Sequence, residues 1–150
     1  MTLTGQCRCE AVRYTIDLTN KPLVYACHCQ NCQRWSGSAF GLHLMLPETA
    51  MSITGELNEY RHEHAGTPSR QFLCAQCHTR IFNTTEAAPG MRVLRAGTLD
   101  NAAELTPAAH IWTRRKHAWL NLPPDVPTWP ESPSPEEFAR AVVDGRVMGP

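Results

Sequence analysis

The chain has 150 residues, enough for one domain with a sizeable core, and 42% are apolar against 19% charged, which excludes a long disordered protein. Fourteen basic residues balance fourteen acidic ones, so no global field draws the chain to nucleic acid or to acidic lipid. No run of about 18 apolar residues occurs and Met1 to Arg13 lacks the apolar core of a secretory signal, so the expectation is a cytoplasmic protein with reduced thiols and neither nucleic-acid nor membrane partners.

The first two-thirds read as short strands. Val12, Tyr14, Ile16 and Leu18 alternate with polar residues, the period of a half-buried strand. A helical turn is expected over residues 31–36. Phe40, Leu42, Leu44 and Leu46 alternate again until Pro47. Met51 and Ile53, then Leu57 and Tyr60, flank Gly55; further candidates are 70–73, 80–82, 91–94 and 110–112, with Gly or Pro in most of the gaps. This pattern predicts an antiparallel, mostly β domain. Six of the twelve prolines lie between Pro123 and Pro135, a stretch expected to run extended over the surface without joining a ladder. Ser134, Pro135 and Glu137 then form a capping box for a short C-terminal helix, with Phe138 and Val142 on one face and Gly145 as its stop.

The seven cysteines fall as a CxC (Cys7, Cys9), a CxCxxC (Cys27, Cys29, Cys32) and a CxxC (Cys74, Cys77). An odd number cannot all pair as disulfides within one chain, and clustered thiols in a reducing compartment read as metal ligands first. Residues i and i+2 of a strand share a side, so Cys7 and Cys9 could face one ion, and CxxC is the spacing of a zinc-binding turn. Four sulfurs close a tetrahedral zinc site, whereas three on one segment leave the fourth place open, as catalytic zinc sites do. Spacing alone does not fix this partition. Cys74 and Cys77 could join the middle cluster, or a histidine could complete it: His28, His43, His62, His64 or His78, with His28 the least able because its side chain points away from Cys27 and Cys29. A thioredoxin-like role lacks its βαβ context, and the short strands favour zinc over an iron–sulfur cluster.

Gln6-Cys7-Arg8-Cys9, Val12-Arg13-Tyr14, the string from Cys27-His28-Cys29 through Cys32 and Trp35-Ser36-Gly37-Ser38 to Phe40, and Phe72-Leu73-Cys74-Ala75-Gln76-Cys77 resemble the glutathione-dependent formaldehyde-activating enzyme family, also called the CENP-V/GFA family. His110-Ile111-Trp112-Thr113 and Ala118-Trp119-Leu120 are similar to its C-terminal signature. The resemblance implies a domain over 3–130, with 131–150 as an extension carrying the short helix. It also implies an Mss4-like antiparallel β fold and two zinc ions per chain. Cys7, Cys9, Cys74 and Cys77 match the structural zinc ligands, and Cys27, Cys29 and Cys32 the catalytic ones. Gln6, Glu10 and His78 stand where members often carry glycine, and a left-handed backbone suits these residues less.

The activity implied is that of a carbon–sulfur lyase, forming or cleaving S-hydroxymethylglutathione or a related thiol–aldehyde adduct. The partners are then glutathione, or a similar small thiol, and a small aldehyde. A thiol sulfur in the open fourth place would be held as thiolate near neutral pH. Arg34, Arg114 and Arg115 are candidate carboxylate contacts, and Trp35 and Phe40 candidate pocket walls. The competing readings are a non-catalytic zinc module that binds a protein partner, and a thiol or metal sensor.

Overall fold

The computed structural model describes residues 1–63 and 68–147, with 142–147 by backbone alone. In chain order the elements are β1 (Thr2–Gln6), β2 (Arg13–Asp17), β3 (Val24–Cys27), α1 (Gln30–Ser36), β4 (Gly41–Pro47), β5 (Met51–Thr54), β6 (Leu57–His62), β7 (Ser69–Cys74), β8 (Arg80–Thr85), β9 (Met91–Arg95), β10 (His110–Ile111) and α2 (Pro135–Val147). The protein is mostly β, with antiparallel sheets and two helices. It divides into two compact units, Met1–Pro22 with Leu44–Leu105, and Leu23–His43 with Thr106–Pro150.

In the first unit β2 lies between β1 and β5, both antiparallel to it. Tyr14 and Ile16 face inward while Arg13, Thr15 and Asp17 face solvent, as the alternation predicts. β1 escapes the sequence pattern because Leu3 is its one large apolar residue. Its other inward position is Gly5, where a Cβ would stand 2.2 Å from the Tyr14 hydroxyl oxygen and 2.6 Å from the Thr98 carbonyl oxygen. The missing side chain leaves room for the Tyr14 ring, whose hydroxyl lies 2.7 Å from Thr98 Oγ1. Strands β6 to β9 form an antiparallel meander. Phe72 of β7 and Phe82 of β8 stack at 4.5 Å between centroids, and the β7–β8 register shifts just beyond Phe72, where β7 runs out toward Cys74.

In the second unit β3 is buried along its whole length. Such a strand shows no polar–apolar alternation, which is why the sequence pattern misses it. It pairs with β10 in parallel, His110 opposite Ala26 and Ile111 opposite Cys27, so not every ladder is antiparallel. Hydrogen bonds from Ala26 N–H to the Ala109 carbonyl (3.0 Å) and from His28 N–H to the Ile111 carbonyl (3.0 Å) carry this ladder up to the CxCxxC segment. The proline-rich stretch forms no strand of its own, as expected, but it makes one isolated parallel β-bridge. Between Pro127 and Pro130, Thr128 bridges His110; the His110 N–H donates to the Pro127 carbonyl and the Trp129 N–H returns a bond to the His110 carbonyl, each at 3.0 Å. Proline lacks the N–H that a ladder needs, but the residues between prolines retain theirs.

Helix α2 opens on the predicted capping box. The Ser134 N–H donates to Glu137 Oε2 (2.9 Å) and the Glu137 N–H to Ser134 Oγ (3.2 Å). Phe138 packs edge-on against Tyr25 at 5.3 Å and, tilted, against Trp129 at 5.9 Å. Gly145 does not stop the helix, which continues to Val147, because one interior glycine costs only about 1 kcal/mol. The expected packing of Val142 lies outside the described side chains.

Candidate metal centre

The first unit gathers four sulfurs. Cys7 follows β1 directly, and Cys9 lies in the turn that leads toward β2, closed by Glu10 N–H to the Cys7 carbonyl at 3.1 Å. The CxC is therefore a turn and not the extended segment that strand spacing suggests. Cys74 ends β7, and the chain reverses through Cys77 by a bond from His78 N–H to the Cys74 carbonyl (3.0 Å). Each pair is followed by a left-handed residue, Glu10 at φ 67° and His78 at φ 60°. The sulfurs of Cys7, Cys9, Cys74 and Cys77 all lie within 4.8 Å of one another.

Cys7 Sγ is 3.5 Å from Cys9 Sγ, and Cys9 Sγ is 3.7 Å from Cys74 Sγ. The edge of a tetrahedron built on zinc–sulfur bonds of ~2.3 Å is ~3.8 Å, so the spacing fits the ion. Burial opposes ionisation of Cys7, yet the Val12 N–H and the Cys9 and Cys74 thiols lower it overall. At Cys9 the Ala11 N–H favours thiolate, but desolvation and the other three sulfurs outweigh it and push the thiol up to about 12. The Thr79 hydroxyl, 3.0 Å from Cys77 Sγ, and the Thr79 N–H bring Cys77 down to about 5. Anionic sulfurs and the thiols that share protons with them form a donor set suited to a soft dication.

The second unit gathers three. Cys27 ends β3, Cys29 is the N-cap of α1, and Cys32 lies in its first turn. The Cys29 backbone is extended (φ −64°, ψ 156°), and its Sγ accepts the Cys32 N–H at 3.4 Å. Gly37, at φ 62°, closes α1 with its N–H on the Gln33 carbonyl. The three sulfurs also lie within 4.8 Å of one another, and among the described residues no histidine or carboxylate joins that set. Cys29 is held strongly toward thiolate by Cys27 and Cys32, against desolvation, with help from the Cys32 and Asn31 N–H groups. Cys27 is driven the opposite way, by Cys29 and Cys32 and then by burial. Three close sulfurs, one of them favoured as thiolate, make a site that a cation would complete. Both cysteine groups could hold a metal ion.

The histidines named by sequence are dispersed. His28 is fully buried and points elsewhere, its Nε2 2.9 Å from His110 Nδ1. Burial first, then the charges of His110, Lys116 and His117, lower it to about 4. Its Nδ1 has no partner among the described residues, so the tautomer with the proton on Nε2 avoids a stranded donor. His62 lies in β6 of the first unit, His78 is exposed, and His64 lies outside the described residues. Among the described histidines, only His43 approaches the three-sulfur group, with Nε2 at 3.4 Å from Cys32 Sγ.

Arg34 and Arg115 are exposed. Arg114 pairs with Glu131 in an open cavity of about 420 Å³, lined also by Trp129, Ser132 and Glu137. Trp35 is partly exposed on α1, and Phe40 packs 5.3 Å from the His28 ring. Sequence reasoning missed Gln33. Its side-chain amide donates to the His28 carbonyl (2.7 Å) and the Arg115 carbonyl (2.9 Å), while its oxygen lies 3.0 Å from His117 Nε2. Nothing in the spacing of a polar helical residue announces such a role.

The model of one protein family, described as "Glutathione-dependent formaldehyde-activating enzyme", matches residues 2–115. A curated relative from Emericella nidulans, named provisionally for the same activity, is 26% identical over 81 residues. That match covers 53% of this chain and 41% of the relative, so the chain spans about two-fifths of the relative's length. A crystal structure of a Rhodobacter sphaeroides protein shares the fold, with a TM-score of 0.54 at 18% identity, covering 69% of this chain and 91% of the other.

Proposed function

The chain belongs to the glutathione-dependent formaldehyde-activating enzyme family, and from that premise we propose that it is a zinc-dependent carbon–sulfur lyase, joining a small thiol such as glutathione to formaldehyde or a related aldehyde and reversing that step. The observation that carries this reading is the three-sulfur group of Cys27, Cys29 and Cys32, with no fourth histidine, cysteine or carboxylate donor beside all three among the described residues. In this reading Cys7, Cys9, Cys74 and Cys77 hold a structural zinc, and Cys27, Cys29 and Cys32 hold the catalytic one. The family domain is taken over 3–130, with 131–150 as its extension, in a reduced cytoplasmic setting.

Zinc at the three-sulfur group would supply a place for the substrate sulfur and keep it as thiolate. The chain's own residues then have three tasks. Cys27, Cys29 and Cys32 fix the position of that place, because the end of β3 and the first turn of α1 set their backbones. Gln33 ties the start of α1 to the His28 and Arg115 carbonyls and so holds the segment in shape. Burial of Cys27 and His28 keeps water from one side of the group. The substrate thiolate attacks the aldehyde carbon, a carbon–sulfur bond forms, and the carbonyl π pair moves to oxygen, which takes up a proton. The product is the hemithioacetal, the proton taken up replaces the one the thiol gave up, and nothing is oxidised or reduced.

Exchange spectroscopy by NMR on formaldehyde and glutathione at equilibrium tests the reading. The zinc-loaded protein is expected to raise the interconversion rate above the uncatalysed background, and Cys29→Ser to remove the effect. A rate equal to background overturns the assignment for this protein.

A further inference from the structure

The alternation of Phe40, Leu42, Leu44 and Leu46 assigns one face of β4, but the opposite face is buried too, at Gly41 and His43. His43 is 3% exposed, a costly place for an imidazole unless its ring nitrogens are used. Its seat includes Tyr25, Cys32 and Gly41. The Tyr25 ring lies beside it at 5.3 Å between centroids. Nε2 is 3.4 Å from Cys32 Sγ. Gly41 lies beneath it, where a Cβ would come within 2.8 Å of Nε2 and 2.9 Å of Cε1, and 3.3 Å from Cys32 Cβ. Any side chain at position 41 would occupy the space through which the imidazole reaches the sulfur.

We infer that His43 is a positioning residue of the three-sulfur site, donating its Nε2 proton to the Cys32 thiolate from a seat made by Gly41 and Tyr25. The inference rests on a metal ion at that site. A metal-bound cysteine has lost its proton and can only accept, so the proton between the two atoms belongs to the imidazole. His43 does not complete the metal shell, because its nitrogens fall outside the set of atoms that lie within 4.8 Å of one another around Cys27, Cys29 and Cys32. Three thiolates on a divalent ion carry a net negative charge, which repels a fourth. A hydrogen bond to one of them withdraws electron density from that sulfur, and so favours arrival of the substrate thiolate.

Cobalt(II) loading of the full-length protein tests this, with His43→Phe, His43→Gln and Gly41→Ala. The wild-type protein is expected to bind two ions per chain with separable thiolate-to-metal charge-transfer bands. His43→Phe keeps a ring without a donor, and Gly41→Ala displaces the imidazole. Each should shift the band of the three-sulfur ion and weaken that ion about 10–100-fold in chelator competition. The four-sulfur band should not change, which reports that the first unit is intact, and far-ultraviolet circular dichroism equal to wild type reports the same for the second. His43→Gln, which restores an N–H donor, should recover most of both readouts. Two ions bound with a His43→Phe band and affinity equal to wild type overturn the inference and leave the lyase reading standing. A nitrogen in the metal shell by X-ray absorption also overturns it, since His43 is then a ligand. One ion per chain, held by the four-sulfur group, removes both.

Discussion

Glu10 and His78 occupy equivalent places, each directly after the second cysteine of a pair and each with a left-handed backbone, φ 67° and 60°. A β-carbon in that region costs roughly 1–2 kcal/mol, partly offset by the greater chain entropy that glycine loses on folding. The exposed Glu10–Arg13 ion pair at 3.8 Å returns little of this. Glu10→Gly and His78→Gly are therefore each expected to raise stability by about 0.5–1 kcal/mol, read as a higher denaturant midpoint at unchanged slope. Gly5 lies at the opposite extreme. Gly5→Ala forces its Cβ against Tyr14 and the Thr98 carbonyl and is expected to cost about 1–3 kcal/mol or more by the same measurement. Trp112 is also left-handed, at φ 57°, and there its indole N–H is used on Ser132 Oγ at 2.9 Å.

At the scale of elements, legibility followed the number of buried faces. β2 has one buried face, and its alternation is plain in the sequence. β3 is buried throughout and shows none. β4 shows half of itself, because the leucines advertise one face while Gly41 and His43 occupy the other, and neither residue type marks a core position. The capping box of α2 was fully readable, since its signal is local chemistry. It also makes a pH prediction. The Ser134 N–H, then its hydroxyl, hold the Glu137 carboxyl below its ordinary 4.5. A carboxyl lowered in the folded state adds stability above the unfolded value and loses it as pH falls through the folded one. Protection of the α2 amides, taken relative to the intrinsic exchange rate at each pH, should fall below about pH 4.5, and Glu137→Gln should flatten that dependence. Equal pH profiles in the two proteins would remove the box as its cause.

For the whole molecule, the sulfur groups were partly legible. Cys27, Cys29 and Cys32 are neighbours in sequence and needed only a tight β3-to-α1 junction to meet. The joining of Cys7 and Cys9 to Cys74 and Cys77 depends on how β1, β2 and β7 fold, which spacing does not encode; family resemblance supplied it. Gln33 and His43 belong to no ligand pattern, and only three-dimensional packing brings them into view. The two groups should also fail differently. Cys7→Ser is expected to lose one metal equivalent and to lower the melting midpoint by about 10 °C or more, because it breaks a crosslink across the first unit. Cys29→Ser should lose one equivalent with a change under about 3 °C. Calorimetry with metal analysis separates the two outcomes, and equal melting losses would make both groups structural.

The difference in sequence span between the groups also sets a clock. Cys9 and Cys74 are 65 residues apart, whereas the other three cysteines fit within one junction and the first turn of α1. A chain grows at about 5–20 residues per second, so the three-sulfur group is complete several seconds before Cys74 and Cys77 exist. Where both groups take metal and metal is scarce, the three-sulfur group would meet it first, while Cys7 and Cys9 wait for Cys74 and Cys77. In the proposed reading, a newly made molecule would acquire its reactive ion before the ion that secures its fold.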